Sequence, residues 1–318
     1  DVYLAGQDKQ RAGAVYVFKI NQAGKWQFFQ KISPSSRVAG EEFGNAISLF
    51  EDQLIVGGYR YDEYIAHNCK VTWVGRAHIY NKGITGEWEP KAVLKAPNIQ
   101  ALESFGTSVA IEGRYAVVGA PSRDVDIEGH FYGASGALYV FEKNKIGDWV
   151  FKQEILEVGP GSVDYLGCSI DMEGTRIVAG AFNKDFDTPF NWFSETGAAY
   201  VYDMDAAGVW HRTQILEQVS KANFDFMGTS VSLSENTIFV TSPEEDHDEN
   251  DDINSFSNNS GAAYVFEVTE TIGINEVSSI DNLNLYPNPS RGDVNIKVDT
   301  EFLPLDVELY AASGELIQ

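Results

Sequence analysis

The sequence predicts an all-β chain, a β-propeller of four-stranded antiparallel blades followed by the start of a small C-terminal β-sandwich. Three observations carry that expectation. A hexapeptide recurs five times, as "GAVYVF" from Gly13, "GRAHIY" from Gly75, "GALYVF" from Gly136, "GAAYVY" from Gly197 and "GAAYVF" from Gly261. Its glycines stand 62, 61, 61 and 64 residues apart, a fixed period of one small supersecondary unit. A dipeptide keeps the same phase at Phe43-Gly44, Phe105-Gly106, Leu166-Gly167 and Met227-Gly228, and Trp26, Trp88, Trp149 and Trp210 follow the first four hexapeptides.

Each element of a unit has its own warrant. "NAISL", "TSVAI" (107–111), "CSIDM" and "TSVSL" alternate small or polar with apolar residues, the period of a first strand. After a turn ("EGR", "EGT", "SEN"), "YAVVGA" (115–120) and "RIVAGA" (176–181) are apolar runs too short for a helix and rich in β-branched residues, so they form a more buried second strand. The hexapeptide is the third strand. A turn holding Gly24, Gly86, Gly147 or Gly208 leads into the fourth, "WVFKQEIL" (149–156) or "WHRTQIL" from Trp210. Such a sheet has two faces and two edges to protect, and radial stacking of like sheets buries the faces. A linear β-solenoid is the rival, with far shorter repeats. Four units are nearly complete and a fifth is partial, because no fourth strand with its Trp follows Gly261. "DVYLAG" at the start behaves as a second strand, so its partner is expected upstream of Asp1.

Bulk properties narrow the function. The 318 residues carry a net charge of −24, which repels polyanions, so neither nucleic acid nor an anionic membrane is an expected partner. No apolar run is long enough to span a bilayer, and no membrane insertion is expected. Cys69 and Cys168 lack CxxC or Cys/His metal spacing, leaving two free thiols or one bridge as alternatives. The five histidines show no HExxH spacing and no GxSxG occurs, so no catalytic residue is assigned. Abundant Asp and Glu make some carboxylate pair inevitable, which is no evidence for glycoside hydrolysis.

Function is expected on the long segments between second and third strands, which fall on one face. Asp62, Asp124, Asp185 and Asp246 recur there in phase, with Asp126, Asp187 and Asp248 two residues later. A carboxylate in a turn also bonds its own backbone, the simpler role for Asp62, Asp124 and Asp185. In "DHDENDD" (246–252), Asp246, Asp248, Asn250 and Asp252 have the one-three-five-seven spacing of Ca²⁺ ligands, without the central Gly or the closing Glu. The same segments are dense in aromatics, and Trp73, Tyr132, Trp192 and Phe193 are the expected ligand anchors, oriented by Asp62, Asp124, Asp126 and Asp187. Packing of these rings between loops is the competing expectation.

"FGTSVAIEGRYAVVGAPSRD" followed by "SGALYVFEK" resembles the FG-GAP repeat family, related to the integrin α-subunit propeller, over residues 1 to about 268. The calcium loop DxDxDGxxD of integrin-like members is intact in none of the units. Past a linker, "LNLYPNPSRGDVNIKVD" breaks the repeat; Tyr286, Pro287, Asn288, Pro289 and Gly292, then Leu309-Tyr310 and Ser313-Gly314, resemble the C-terminal sorting domain of the type IX secretion system. The expected domains are therefore a propeller at 1–270, a linker at 271–282 and a shortened sorting domain at 283–318. Together these resemblances imply export from a Gram-negative cell by the type IX machinery, then release or attachment at the cell surface. The function expected is binding or adhesion, with a glycan or an extracellular protein as partner and Ca²⁺ as the one cofactor considered. A polysaccharide-active propeller enzyme, or the non-catalytic part of one, is the alternative.

Overall fold

The computed structural model describes residues 11–34, 38–65, 69–157, 159, 161–187, 192–218, 221–245 and 260–267, with 187, 192, 193 and the strands Asn284–Tyr286 and Asn295–Lys297 described by backbone. Contacts divide the chain into Asp1–Val268 and Thr269–Gln318. Among the described residues every regular element is a β-strand.

The first unit supplies the antiparallel pair β1 (Val15–Ile20) and β2 (Trp26–Ile32). The second runs β3 (Ile47–Phe50), β4 (Gln53–Gly58), a short hairpin arm β5 (Glu63–Ile65) and β6 (Cys69–Val71), then β7 (Arg76–Lys82) and β8 (Trp88–Leu94). The third repeats this as β9 (Ser108–Glu112), β10 (Tyr115–Ala120), arm β11 (Val125–Ile127) and β12 (His130–Tyr132), β13 (Ala137–Lys143) and β14 (Trp149–Ile155). The fourth follows as β15 (Ile170–Glu173), β16 (Arg176–Ala181), arm β17 (Phe186–Asp187) and β18 (Trp192–Phe193), β19 (Ala198–Met204) and β20 (Trp210–Leu216). The fifth has three described strands, β21 (Val231–Ser234), β22 (Thr237–Ser242) and β23 (Ala262–Glu267). The middle three units are antiparallel sheets in the order first, second, third, fourth strand. In the C-terminal unit, β24 (Asn284–Tyr286) pairs antiparallel with β25 (Asn295–Lys297). Residues 1–6, with the second strand expected in "DVYLAG", lie outside the described residues.

The cores lie between units. Val15 and Val17 of the first pack on Leu54, Val56 and Tyr80 of the second. Ile55 and Ile79 of the second meet Phe105, Val118 and Tyr139 of the third, and Val117 and Val140 of the third meet Ile177, Tyr200 and Trp210 of the fourth. Period two explains the arrangement: along β13, Tyr139 and Phe141 face the preceding sheet while Leu138 and Val140 face the following one. Covered on both faces, the second strands read as near-continuous apolar runs. Each fully buried Val, Ile or Phe contributes about 1.5–3 kcal/mol.

The three sequence markers are parts of one joint. The first four hexapeptide glycines each make a parallel bridge to the next unit's dipeptide: Gly13 with Phe43, Gly75 with Phe105, Gly136 with Leu166, Gly197 with Met227. Beside it, Phe105 N donates to Val74 O at 3.1 Å, Leu166 N to Ser135 O at 3.0 Å and Met227 N to Thr196 O at 2.9 Å. Only glycine fits. At Gly136 φ is 90° and a Cβ would lie 2.3 Å from the Leu166 carbonyl oxygen. Between fourth strands, Gln30 and Gln153 each exchange two hydrogen bonds with the backbone of the next unit's tryptophan, Trp88 (2.8 and 3.0 Å) and Trp210 (2.9 and 2.8 Å).

Cys69 is an exposed free thiol and Cys168 a half-buried one. The three arms are more ordered than the loops expected there. In the third unit, Glu128 (φ 54°) and Gly129 (φ 83°) form a two-residue left-handed turn between Ile127 and His130, the geometry that closes a tight hairpin.

Candidate functional site

Antiparallel order puts the end of each second strand, its arm, the start of the third strand and the entry to the first strand at one end of each sheet. Successive sheets share that orientation because the bridges between them are parallel. Linkers between units cross the same face.

Two sets of carboxylates build this face. Asp62 Oδ1 accepts the Trp73 N–H at 3.0 Å, Asp124 Oδ1 that of Ala134 at 2.8 Å and Asp185 Oδ1 that of Glu195 at 2.8 Å. The amides they hold belong to left-handed residues, with φ of 52°, 49° and 56°. The carbonyls of those residues then accept Ser104 N (3.1 Å), Tyr165 N (3.2 Å) and Phe226 N (3.2 Å) of the next unit. These three aspartates therefore shape the joints, and their Oδ1 atoms are committed to backbone. Asp62 also pairs with Lys70 at 2.6 Å, and Asp126 Oδ1 accepts Gly129 N at 2.9 Å within its own turn.

The second set escaped the sequence reading. Glu41, Glu103, Asp164 and Asp225 each stand two residues before the in-phase dipeptide and are buried. Three of them accept the N–H three residues upstream and so bend the linker: Gln100 N to Glu103 (3.3 Å), Gly161 N to Asp164 (2.6 Å), Ala222 N to Asp225 (2.8 Å). Their balance of charge differs. Burial pushes Glu41 up, but hydrogen bonds from His78 and from Arg76 (2.6 and 2.8 Å) outweigh it and hold the carboxyl below its usual range. Lys184 lies 3.0 Å from Asp164, whose carboxyl burial still raises. Arg123 is 3.8 Å from Glu103, and burial pushes that carboxyl up to about 7. The signal was available as an acid at a 62, 61 and 61 residue spacing. No group of three or more His, Cys, Asp or Glu is gathered for a metal among the described residues.

The expected anchors are distributed over the arms. Trp73 is 43% exposed beside the Arg60 guanidinium, which lies 4.7 Å from its ring centre. Tyr132 is half-buried in β12 opposite Val125, next to exposed Phe131. Trp192 and Phe193 form β18, paired by backbone with Asp187 and Phe186. Asp246, Asp248, Asn250 and Asp252 lie outside the described residues, as do Pro287, Asn288, Pro289 and Gly292; Tyr286 ends β24.

A different set of rings is brought together. Tyr165 and Phe182 stack with centroids 5.2 Å apart and planes 8° apart; Phe182 lies 6.1 Å from Phe226, and Phe226 6.3 Å from Phe224. This ladder crosses the joint between the fourth and fifth units. Tyr165, Phe182 and Phe226 are half-buried and Phe224 is 50% exposed. Tyr165, Phe224 and Phe226 hold φ of 58°, 71° and 54°, a region costly for bulky side chains. At the equivalent place in the second unit the face is charged instead, Glu42 pairing with Arg60 at 3.0 Å and with Arg11.

Residues 88–141 match the family model described as FG-GAP repeat. The match runs from the fourth strand of the second unit into the third strand of the third and includes the dipeptide Phe105-Gly106. Among solved structures, the crystal structure of a protein from Lactobacillus plantarum is 12% identical, with a TM-score of 0.44 over 81% of this chain and 70% of that one. No curated protein matches the chain. Residues 88–141 thus carry an FG-GAP repeat, within an all-β array of like antiparallel sheets.

Proposed function

We infer that this chain is a binding or adhesion module that holds its ligand on the loop face and does not catalyse. The ladder Tyr165–Phe182–Phe226–Phe224 carries the reading. Rings that offer part of their surface to solvent suit a ligand held by stacking and apolar contact. A protein of charge −24 recruits no anionic surface by charge, which favours neutral glycans or an extracellular protein. Trp73 and Tyr132, at the same end of the second and third sheets, offer further ring surface to such a ligand. Glycan-array and cell-adhesion assays on folded Phe182→Ala, Trp73→Ala and Trp192→Ala variants test it; undiminished binding by all three rejects the face.

Three further parts belong to the proposal. The sheets close into a propeller, for Tyr16 and Phe18 of the first unit and Phe239 and Val265 of the fifth expose faces whose equivalents are packed between the middle units. The module from residue 283 onward directs export through a type IX system to the cell surface, on the strength of its "YPNPSRG" stretch. Retention of a reporter fusion in the periplasm of a competent host would reject that part. "DHDENDD" binds Ca²⁺ weakly, at about 10⁻⁴–10⁻³ M, for want of the closing bidentate Glu. Calorimetric heats unchanged by Asp246→Ala and Asp248→Ala would count against it.

A further inference from the structure

Three departures from the repeat converge in the second unit. Its third strand carries His78 where the other four have Tyr16, Tyr139, Tyr200 and Tyr264. Arg76 follows the hexapeptide glycine where the others have alanine. Across the third and fourth strands, Phe18 faces Phe28, Phe141 faces Phe151 and Tyr202 faces Arg212, but Tyr80 faces Pro90.

The outcome is space. In the third unit Phe151 fills this position, with ring centroids 6.4 Å from Tyr139 and 6.0 Å from Phe141. Pro90 is too short to do so, and a cavity of about 320 Å³ opens, lined by Arg76, His78, Tyr80, Pro90 and Lys91 among others. That is the lower end of the volumes, roughly 300–1,000 Å³, that hold small ligands.

The polar groups are preorganised. Buried Glu41 receives Arg76 Nε at 2.6 Å and Nη2 at 2.8 Å, and its Oε1 lies 3.1 Å from His78 Nε2. A carboxylate accepts only, so Nε2 carries the proton and His78 Nδ1 is left for another partner. Phe43 meets the imidazole edge-on at 5.2 Å and fixes its plane. Lys91 stands exposed at the rim. Among the described residues lining the cavity, Arg76 and Lys91 are cationic and none is acidic, with the Glu41 carboxylate paired to Arg76 behind the wall.

We propose that this cavity is a second, separate binding site, taking a carboxylate-bearing ligand of about monosaccharide size, with Lys91 and Arg76 attracting the carboxylate and His78 and Tyr80 meeting hydroxyl groups. The blade-to-blade joints do not need such a cavity, since the third unit forms the same joint with the space filled.

Calorimetric titration of the whole chain with galacturonate, and with galactose as the neutral counterpart, tests the site. Galacturonate is expected to bind at least about tenfold more tightly than galactose. Pro90→Phe, which refills the space as Phe151 does, and Lys91→Ala, at the exposed rim, should each weaken galacturonate about tenfold or more while the thermal transition stays in place. Should Pro90→Phe fail to fold, Lys91→Ala and His78→Tyr, which restores the tyrosine of the other units, carry the test. Galacturonate binding no tighter than galactose, or unchanged in Lys91→Ala, overturns the proposal. A null result here leaves the ladder on the loop face untouched, because none of these substitutions lies in it.

Discussion

Replacing Gly136 by alanine isolates what a joint between units is worth. The residue has φ of 90°, where an L side chain costs about 1–2 kcal/mol, and its new Cβ would lie 2.3 Å from Leu166 O and 2.4 Å from Leu166 N. Those are backbone atoms and cannot swing aside, so the third and fourth sheets must separate. Overpacking of this kind typically adds about 1–3 kcal/mol. The hydrogen bond from Leu166 N to Ser135 O, at 3.0 Å, is strained in the process. Gly147 supplies the control. Its φ is 89°, but nothing lies within 4 Å of its Cβ position, so Gly147→Ala carries the backbone cost alone. Urea unfolding of both variants should find Gly136→Ala about 2 kcal/mol less stable than Gly147→Ala. Losses equal within about 0.5 kcal/mol would refute the claim that the hexapeptide glycine is selected by the approach of the next unit.

Glu103 should make stability fall with rising pH. Its carboxyl sits at about 7 when folded against an ordinary 4.5, so its contribution is fully present below about 4.5 and is lost as pH rises through about 7, a change on the order of 3 kcal/mol. Glu103→Gln should flatten that part of the profile, and a wild-type slope retained in the variant would exclude Glu103 as its source. Glu41, held below its usual range by His78 and Arg76, acts oppositely: its contribution is present above about 4.5 and lost as pH falls through its depressed value. Glu41→Gln should therefore remove part of the acid-side loss, read from the same unfolding curves. Asp124→Ala should cost about 1–3 kcal/mol, because it orphans the Ala134 amide that supports the next joint; a neutral effect in urea melts would show that the clamp is dispensable.

The repeat, its four strands and their order were legible because each rests on local chemistry: period two in "TSVAI", β-branched residues in "YAVVGA", a glycine before each Trp. The expected strands agree with β9, β10, β13 and β14 nearly residue by residue. The arms were read as loops because their strands are two or three residues long, although Glu128-Gly129 between Ile127 and His130 is a hairpin signal in its own right. The loop-shaping role expected for Asp62, Asp124 and Asp185 is the one their Oδ1 atoms perform. The aromatic ladder was missed for a different reason. Tyr165, Phe182, Phe224 and Phe226 come from three segments that only stacking of the fourth and fifth sheets brings together, and no spacing along the chain encodes that meeting.

The most direct test of a loop face that binds through stacked rings is one titration. The glycan or surface protein retained best by the wild-type chain is measured against Phe224→Ala, whose ring is half exposed and whose removal leaves the joint backbone in place. Loss of a dominant aromatic anchor costs about 2 kcal/mol or more, so the dissociation constant should rise about thirtyfold with the unfolding midpoint little changed. An unchanged dissociation constant in a folded Phe224→Ala chain would contradict the account.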